Sequence, residues 1–393
     1  MLTSLTVRGP FRGPTGYDHH TREFVRALLA LGVTVELQDL EMWSPAKLAA
    51  HMRDPVFEAL SKPCNSRTVL HFSMPHQVVS APGKVNANFT TFEADRVHPD
   101  WVKANWNHDL VIVPSQSSKS AWVKSGLPEH RIRICGYGVD ALAFSGAAEP
   151  LEFSGAEPNQ YRVRFLNVSE MSARKNLAGL LEAWMRATSP ADDAVLILKL
   201  GCYDRGARER FEKLIETIEM KLHKRLAEAA PLIVTSQLLS DADMPRLYAA
   251  ATHYISLSHG EGWDLPMMEA AASGLRLIAP AHSAYLAYLD SSVATLIRSE
   301  EVPVVFEGDA ATAKLFTGAR WWQPDLEEAI QYIRAAIEGR DQCRAFPRDR
   351  ILSQFTWEQA ARRLVGILEE FEALKEKVRP FLSRINPGPR PAS

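Results

Sequence analysis

The sequence predicts an α/β protein made of two doubly wound halves. Three observations carry that prediction: the length of the chain, the alternation of short apolar runs with helical patterns, and one aperiodic stretch between two such series. At 393 residues the chain exceeds what one hydrophobic core usually serves, so two domains are expected. Strand candidates alternating with helices favour mostly parallel sheets covered on both faces. Residues 141–160, ALAFSGAAEPLEFSGAEPNQ, are rich in Ala, Gly, Pro and Ser without periodicity and read as a linker or exposed loop.

The first series opens LTSLTV, TREFVRALLALG, VTVELQD, a strand, a helix and a strand. TVLHFS, VNANFTTF, DLVIVPS and RIRICGYG continue it to about residue 138. The second offers YRVRFLNVS, AVLILKLG, PLIVTSQ, THYISLS and LRLIAP as strands, separated by helices such as NLAGLLEAWMRA and the long RERFEKLIETIEMKLHKRLAEAA. TWEQAARRLVGILEEFEALKEKVRPFL reads as an amphipathic helix whose Thr356 start is an imperfect capping-box match. INPGPRPAS reads as a disordered tail. The expected division is 1–150, 151–355, a terminal helix over 356–385 and a tail over 386–393.

Composition narrows the function. With 46% hydrophobic and 23% charged residues the chain is of the soluble globular kind. Forty-five Lys and Arg against 47 Asp and Glu give a net charge of −2, which supplies no general attraction to nucleic acid. Any anionic ligand must then be held locally. Cys64, Cys135, Cys202 and Cys343 are scattered without CxxC spacing and suit reduced thiols. MLTSLTVRGPFRG lacks the pattern of a signal peptide, and no run reaches the ~18 apolar residues of a membrane span, so a cytoplasmic protein is expected.

The stretch that concentrates chemistry is HGEGWDLPMMEAAASG, residues 259–274. Open parallel sheets bind ligands where a strand's carboxyl end turns into the next helix. Here ISLS is the strand, HGEGWDL the loop, Pro266 an early helical position and Gly274 the stop. The amides of Trp263, Asp264 and Leu265 would then face outward at a positive helix terminus. Glu261 lies in the loop and Glu269 one turn inside the helix, where each carboxylate can accept two hydrogen bonds from a vicinal diol. Taken singly, Glu261 reads as a surface loop acid and Glu269 as a first-turn charge; the strand, loop, proline and helix together favour ligand binding.

EGWDLPMMEAAASGLRLIA resembles the EGFGLPxxEAMAxGxPVI signature of retaining, nucleotide-sugar-dependent glycosyltransferases of family 4, which have the two-domain GT-B fold. The resemblance extends to residues 109–140, 167–184 and 240–263. It implies two Rossmann-like domains facing a central cleft, with the terminal helix crossing back to the first, and a transferase moving a hexose from a GDP- or UDP-sugar to a hydroxyl of a saccharide or lipid-linked acceptor. By the same resemblance Glu269 binds the ribose hydroxyls of the nucleotide, Glu261 contacts the transferred sugar with the amides after it, and Lys175 binds the donor phosphates. Arg174 either assists Lys175 or faces solvent. The GPTGYDHH loop corresponds to the family's glycine-rich loop, so Gly13 and Gly16 would let backbone approach the donor phosphates or acceptor. No cofactor and no divalent metal are expected beyond the nucleotide sugar as co-substrate.

The sequence departs from the pattern at three places. Glu170 stands where many relatives have an arginine, Asp264 replaces the fourth residue of the turn, usually glycine, and Glu93 stands where a histidine is expected. Glu93 would either hydrogen-bond donor sugar or acceptor, or serve as a buried structural acid. These departures keep an inactive GT-B scaffold open as an alternative, beside another GT-B enzyme such as a phosphorylase or epimerase. Asp241-Ala242-Asp243 spells DxD but reads as helix capping and first-turn charge. His98 and the His19-His20 pair read as surface or loop histidines without metal-site spacing. WVKANW offers a peripheral membrane contact or simple amphipathic packing.

Overall fold

In the computed structural model the chain is described over all residues except 1, 41–42, 44–45, 146–147, 202–205, 307–309, 342–345 and 386–393. The proposed tail and Cys202 and Cys343 lie outside the described residues. Cys64 and Cys135 are free thiols.

The amino-terminal half comprises β1 (Ser4–Arg8), α1 (Gly16–Ala30), β2 (Thr34–Gln38), α2 (Pro55–Ala59), β3 (Thr68–Phe72), β4 (Val85–Phe89), α3 (Pro99–Asn105), β5 (Leu110–Val113), α4 (Gln116–Lys124), β6 (Ile132–Ile134) and α5 (Ala141–Ser145). Its six strands form a parallel sheet in the order β2-β1-β3-β4-β5-β6. The second half continues with β7 (Val163–Glu170), α6 (Leu177–Ala187), β8 (Ala194–Gly201), α7 (Ala207–Leu222), β9 (Leu232–Thr235), α8 (Met244–Ala249), β10 (His253–Ile255), α9 (Leu265–Ala272), β11 (Arg276–Pro280) and β12 (Thr295–Ile297). These strands form a second parallel sheet in the order β12-β11-β10-β7-β8-β9. There follow β13 (Ser299–Pro303), α10 (Ala310–Leu315), β14 (Arg320–Pro324), α11 (Leu326–Ile337), α12 (Pro347–Gln354) and α13 (Trp357–Ile385).

Continuous apolar runs explain the strands. VLILKL in β8 and LVIV in β5 are buried nearly throughout, as expected of parallel strands covered on both faces. Strand order reverses between β1 and β3 in the first sheet and between β7 and β10 in the second. Those are the points where doubly wound sheets open a ligand crevice at their carboxyl ends.

Several local readings are corrected. The helix expected across 208–230 ends at Leu222, because His223 adopts a left-handed φ of 49° and caps it, a termination with no glycine to announce it. The 141–160 stretch is packed rather than free: Phe144 is buried with its ring 5.7 Å from that of Tyr248, and Leu151 N–H donates to Arg246 O. The capping box at Thr356 is complete, since Gln359 N–H donates to Thr356 Oγ1 at 3.2 Å and Thr356 N–H to Gln359 Oε1 at 3.1 Å. The antiparallel pair β13–β14 has no counterpart in the sequence reading.

The terminal helix α13 leaves the second half and packs on the first. Leu364, Leu368 and Ala361 are buried in the same core as Phe24 and Leu28 of α1, and Arg133 Nη2 lies 3.0 Å from Glu370 Oε1. Trp357 sets the crossing, with its ring 5.2 Å from Phe24 and its backbone against Gly138, where an added Cβ would meet Trp357 N at 2.3 Å. No helix among the described residues is long and apolar enough to cross a membrane.

Candidate functional site

The loops after β7 and β10, the two strands at the reversal point of the second sheet, carry the charged centre. After β7 the chain makes a short 3-10 turn over Ala173–Lys175, and Asn176, at φ 50°, caps α6 by accepting from Gly179 N–H. That tight turn presents Arg174 and Lys175 together. After β10, Ser256 to Asp264 form the second loop, held under the first by His259 N–H donating to Arg174 O at 2.8 Å. Glu261 sits between the two cations. Lys175 Nζ lies 2.7 Å from its Oε1 and Arg174 Nη1 2.9 Å from its Oε2.

This geometry sets the protonation states. Burial alone would raise the Glu261 pKa, but Arg174 and then Lys175 outweigh it and hold the carboxyl well below its usual range. Lys175 is held charged against burial, chiefly by Glu261. Arg174 therefore does not face solvent, although Nη2 also reaches Glu170 Oε1 at 3.2 Å. The acid at 170 meets the arginine that the sequence offers in place of the expected one.

Asp264 bends the loop into α9. It has φ 65° and accepts from Met267 N–H, a left-handed N-cap of the kind Asp tolerates. Its Oδ2 also accepts from Tyr285 OH at 2.7 Å. Burial, followed by the charge of Glu261, raises its pKa to about 6. Trp263 is buried at the seam between the halves, with its ring 5.7 Å from Tyr137 and its Nε1 donating to Met268 Sδ. Leu265 opens α9, and Gly274, at φ 81°, follows its end as expected.

Glu269 lies one turn into α9, buried, with Oε2 accepting from Tyr248 OH at 2.6 Å. Burial raises its pKa to about 7. Its other oxygen is 3.5 Å from Nε2 of His19, which comes from α1 of the opposite half. Contrary to the sequence reading, His20 is buried and stacks on Tyr137 inside the core, and His19 is partly buried; both lie on α1, the helix that faces the second domain. His98 caps α3, its Nδ1 accepting from Asp100 N–H.

Asp241 is likewise not a helix cap. Ser240 Oγ accepts from Asp243 N–H at 3.2 Å ahead of α8, while Asp241 pairs with His19, Arg22 and Arg26. Atoms of His19, Glu23 and Asp241 approach within 4.8 Å, a spacing a cation would accept. Arg22 and Arg26 already meet these acids, so the cluster reads as an ion-pair network.

The halves meet closely over the charged centre. An added Cβ on Gly262 would lie 1.3 Å from Thr91 Oγ1, and one on Gly260 2.0 Å from Glu93 O. Glu93 therefore stands across the seam from the Glu261 loop. Its pKa is raised, first by burial, with Arg174 opposing. Gly13 does not offer a free amide: its N–H donates to Asp18 Oδ1 at 2.6 Å, because Asp18 also closes the capping box of α1 with Thr15. Gly16, the first residue of α1, has open space where a side chain would be.

Sequence reading missed several residues at this site. Ser283, at φ 46°, accepts from Glu261 N–H at 3.2 Å. Trp321 and Trp322 of β14 stack on His259 and His282, at ring distances of 4.4 and 5.2 Å. The RWWQP string was the one local signal for the latter pair.

Two facing doubly wound domains, with a cation-and-carboxylate centre at the reversal point of the second, define the GT-B architecture. No family model and no curated protein matches the chain. Solved structures share its fold. HepE from Anabaena, in complex with UDP and glucose, superposes with a TM-score of 0.59 at 13% identity, covering 94% of this chain and 100% of its own. Sucrose-phosphate synthase from Thermosynechococcus elongatus gives 0.62 at 14% identity, covering 95% and 100%. A glycosyltransferase from Rickettsia africae gives 0.57 at 12%, covering 94% and 98%.

Proposed function

We propose that the protein is a glycosyltransferase that moves a hexose from a nucleoside-diphosphate sugar to a hydroxyl of a saccharide or lipid-linked acceptor, with retention of anomeric configuration and without a divalent metal. The observation that carries this reading is the placement of Arg174, Lys175 and Glu261 at one reversal point, with Glu269 one helical turn further along. The fold shared with HepE, whose complex holds UDP and glucose, supports it.

Under this reading the donor diphosphate meets Lys175 and Arg174, whose charge is now balanced by Glu261. Negative charge building on the leaving group is then stabilised by fixed cations in a site closed to water. Glu261 turns to the transferred sugar, and Glu269 accepts the ribose diol. The acceptor hydroxyl attacks from the same face as the departing phosphate, whose oxygen takes its proton. Thr91 Oγ1, buried at the seam without a hydrogen-bond partner among the described residues, and Glu93 stand across the seam from the Glu261 loop, on the side of that chemistry.

A thermal-shift panel of UDP, GDP, ADP, dTDP and their common sugars on wild type and Glu269→Ala tests the proposal. A ligand at about a hundred times its dissociation constant adds ~2.7 kcal/mol of stability. One nucleotide should stabilise the wild type and lose its effect in the variant. If no nucleotide shifts the wild type, donor binding fails and the inactive scaffold becomes the better account.

A further inference from the structure

Arg22 and His19, both on α1, reach across the seam to acids of the other domain. The Arg22 guanidinium makes four bonds. Nη1 donates to Phe11 O at 3.2 Å and Gly13 O at 2.9 Å, shaping the loop before α1, while Nε and Nη2 meet Asp241 Oδ2 and Oδ1 at 3.3 and 3.1 Å. His19 is held between two acids, with Nδ1 3.4 Å from Asp241 Oδ1 and Nε2 3.5 Å from Glu269 Oε1. Arg26 adds a third contact, with Nη1 3.5 Å from Asp241 Oδ2.

We infer that Asp241 is a positioning residue for the donor site: by drawing Arg22 and His19 across the seam, it closes the domains and sets both the loop over Phe11–Gly13 and the carboxylate of Glu269. The role of Glu269 rests on the donor reading above; the clasp between domains does not. Opening the cleft separates Asp241 from His19, Arg22 and Arg26 at once and takes His19 from Glu269, which keeps the hydrogen bond from Tyr248. Closure restores them together, so the geometry of two distant segments follows one interdomain contact. Linkage then requires that a ligand which favours the closed form bind more weakly when the clasp is cut, typically by 5–150-fold. Because the Asp241 side chain is 37% exposed, neutralising it opens no cavity and should leave both domains folded.

Small-angle scattering on ligand-free wild type, Asp241→Asn and Asp241→Glu reads closure directly, with thermal melts to check folding. The expected result is a larger radius of gyration for Asp241→Asn, a return toward wild type for Asp241→Glu, and UDP affinity reduced at least 5-fold only in the former. His19→Gln should open the protein in the same direction by less, since Arg22 and Arg26 remain. An unchanged radius for folded Asp241→Asn overturns the clasp. If UDP binds none of the proteins but Asp241→Asn still opens, the clasp stands and the nucleotide reading falls.

Discussion

Lys175 Nζ lies 2.7 Å from Oε1 of Glu261, across 86 positions of sequence, and that contact joins the loops after β7 and β10 into one charged centre. Arg174 completes it from the opposite carboxylate oxygen at 2.9 Å. Glu261 answers both cations and Glu170 meets Arg174 from outside at 3.2 Å, so an incoming diphosphate would take over contacts that these acids hold.

Replacing Glu261 by Gln should be costly, because it leaves the poorly solvated Lys175 without its acid and Arg174 with only the exposed Glu170. Breaking a buried pair by removing one partner typically costs about 3–5 kcal/mol. We expect a lowered Tm by differential scanning calorimetry and partial recovery on adding a nucleoside diphosphate. No recovery with any diphosphate would count against a phosphate site at Lys175 and Arg174.

Gly262→Ala places a Cβ where Thr91 Oγ1 stands, 1.3 Å away. Neither domain needs that approach for its own folding, so the variant should fold and fail to close. The expected outcome is a radius of gyration above the wild type's and kcat reduced about 100-fold or more, since small misplacements of reacting groups carry costs of that size. A closed, active Gly262→Ala protein would show that the seam seen here is not the working arrangement.

Glu269 links pH to stability and binding. Its pKa rises from about 4.3 in an unfolded chain to about 7, chiefly through burial. The folded protein therefore holds more protons than the unfolded chain between those values, and stability falls as pH rises through that window. Glu269→Gln should remove this component, so its Tm relative to wild type should be higher at pH 8 than at pH 5. Nucleotide affinity should run the other way, falling below about pH 7 as the diol acceptor becomes protonated. Calorimetric titration at both pH values checks the second point.

Asp264→Gly restores the glycine usual in the turn that EGWDLP resembles. Replacing an N-cap acid by glycine costs only a few tenths of a kcal/mol, the left-handed φ of 65° suits glycine, and Tyr285 OH keeps Ser256 Oγ at 2.8 Å. We expect a Tm within a few degrees of wild type and a changed ranking among donor sugars, since a carboxylate leaves the position next to Glu261. Unchanged donor preference would remove Asp264 from sugar selection.

Local chemistry made much of this protein legible. Strands such as VLILKL declare themselves by continuous apolar character, and the turn from β10 into α9 by Asp264, Pro266 and Gly274, because strand burial and capping act over a few neighbouring residues. The same locality brought Glu261 and Glu269 into view within one motif. Where no residue type marks the event, as at His223, the helical pattern runs on past the end of the helix.

Two doubly wound halves and the loop-to-helix element holding both glutamates are legible along the chain, since hydrophobic periodicity and turn preferences are written in adjacent positions. That His19 meets Glu269, that Asp241 meets Arg22 over a gap of 219 residues, and that Gly262 lies against Thr91 emerges first in the folded protein. Those contacts arise from the packing of one domain on another, and a pair of complementary charges far apart in a chain leaves no pattern in either neighbourhood.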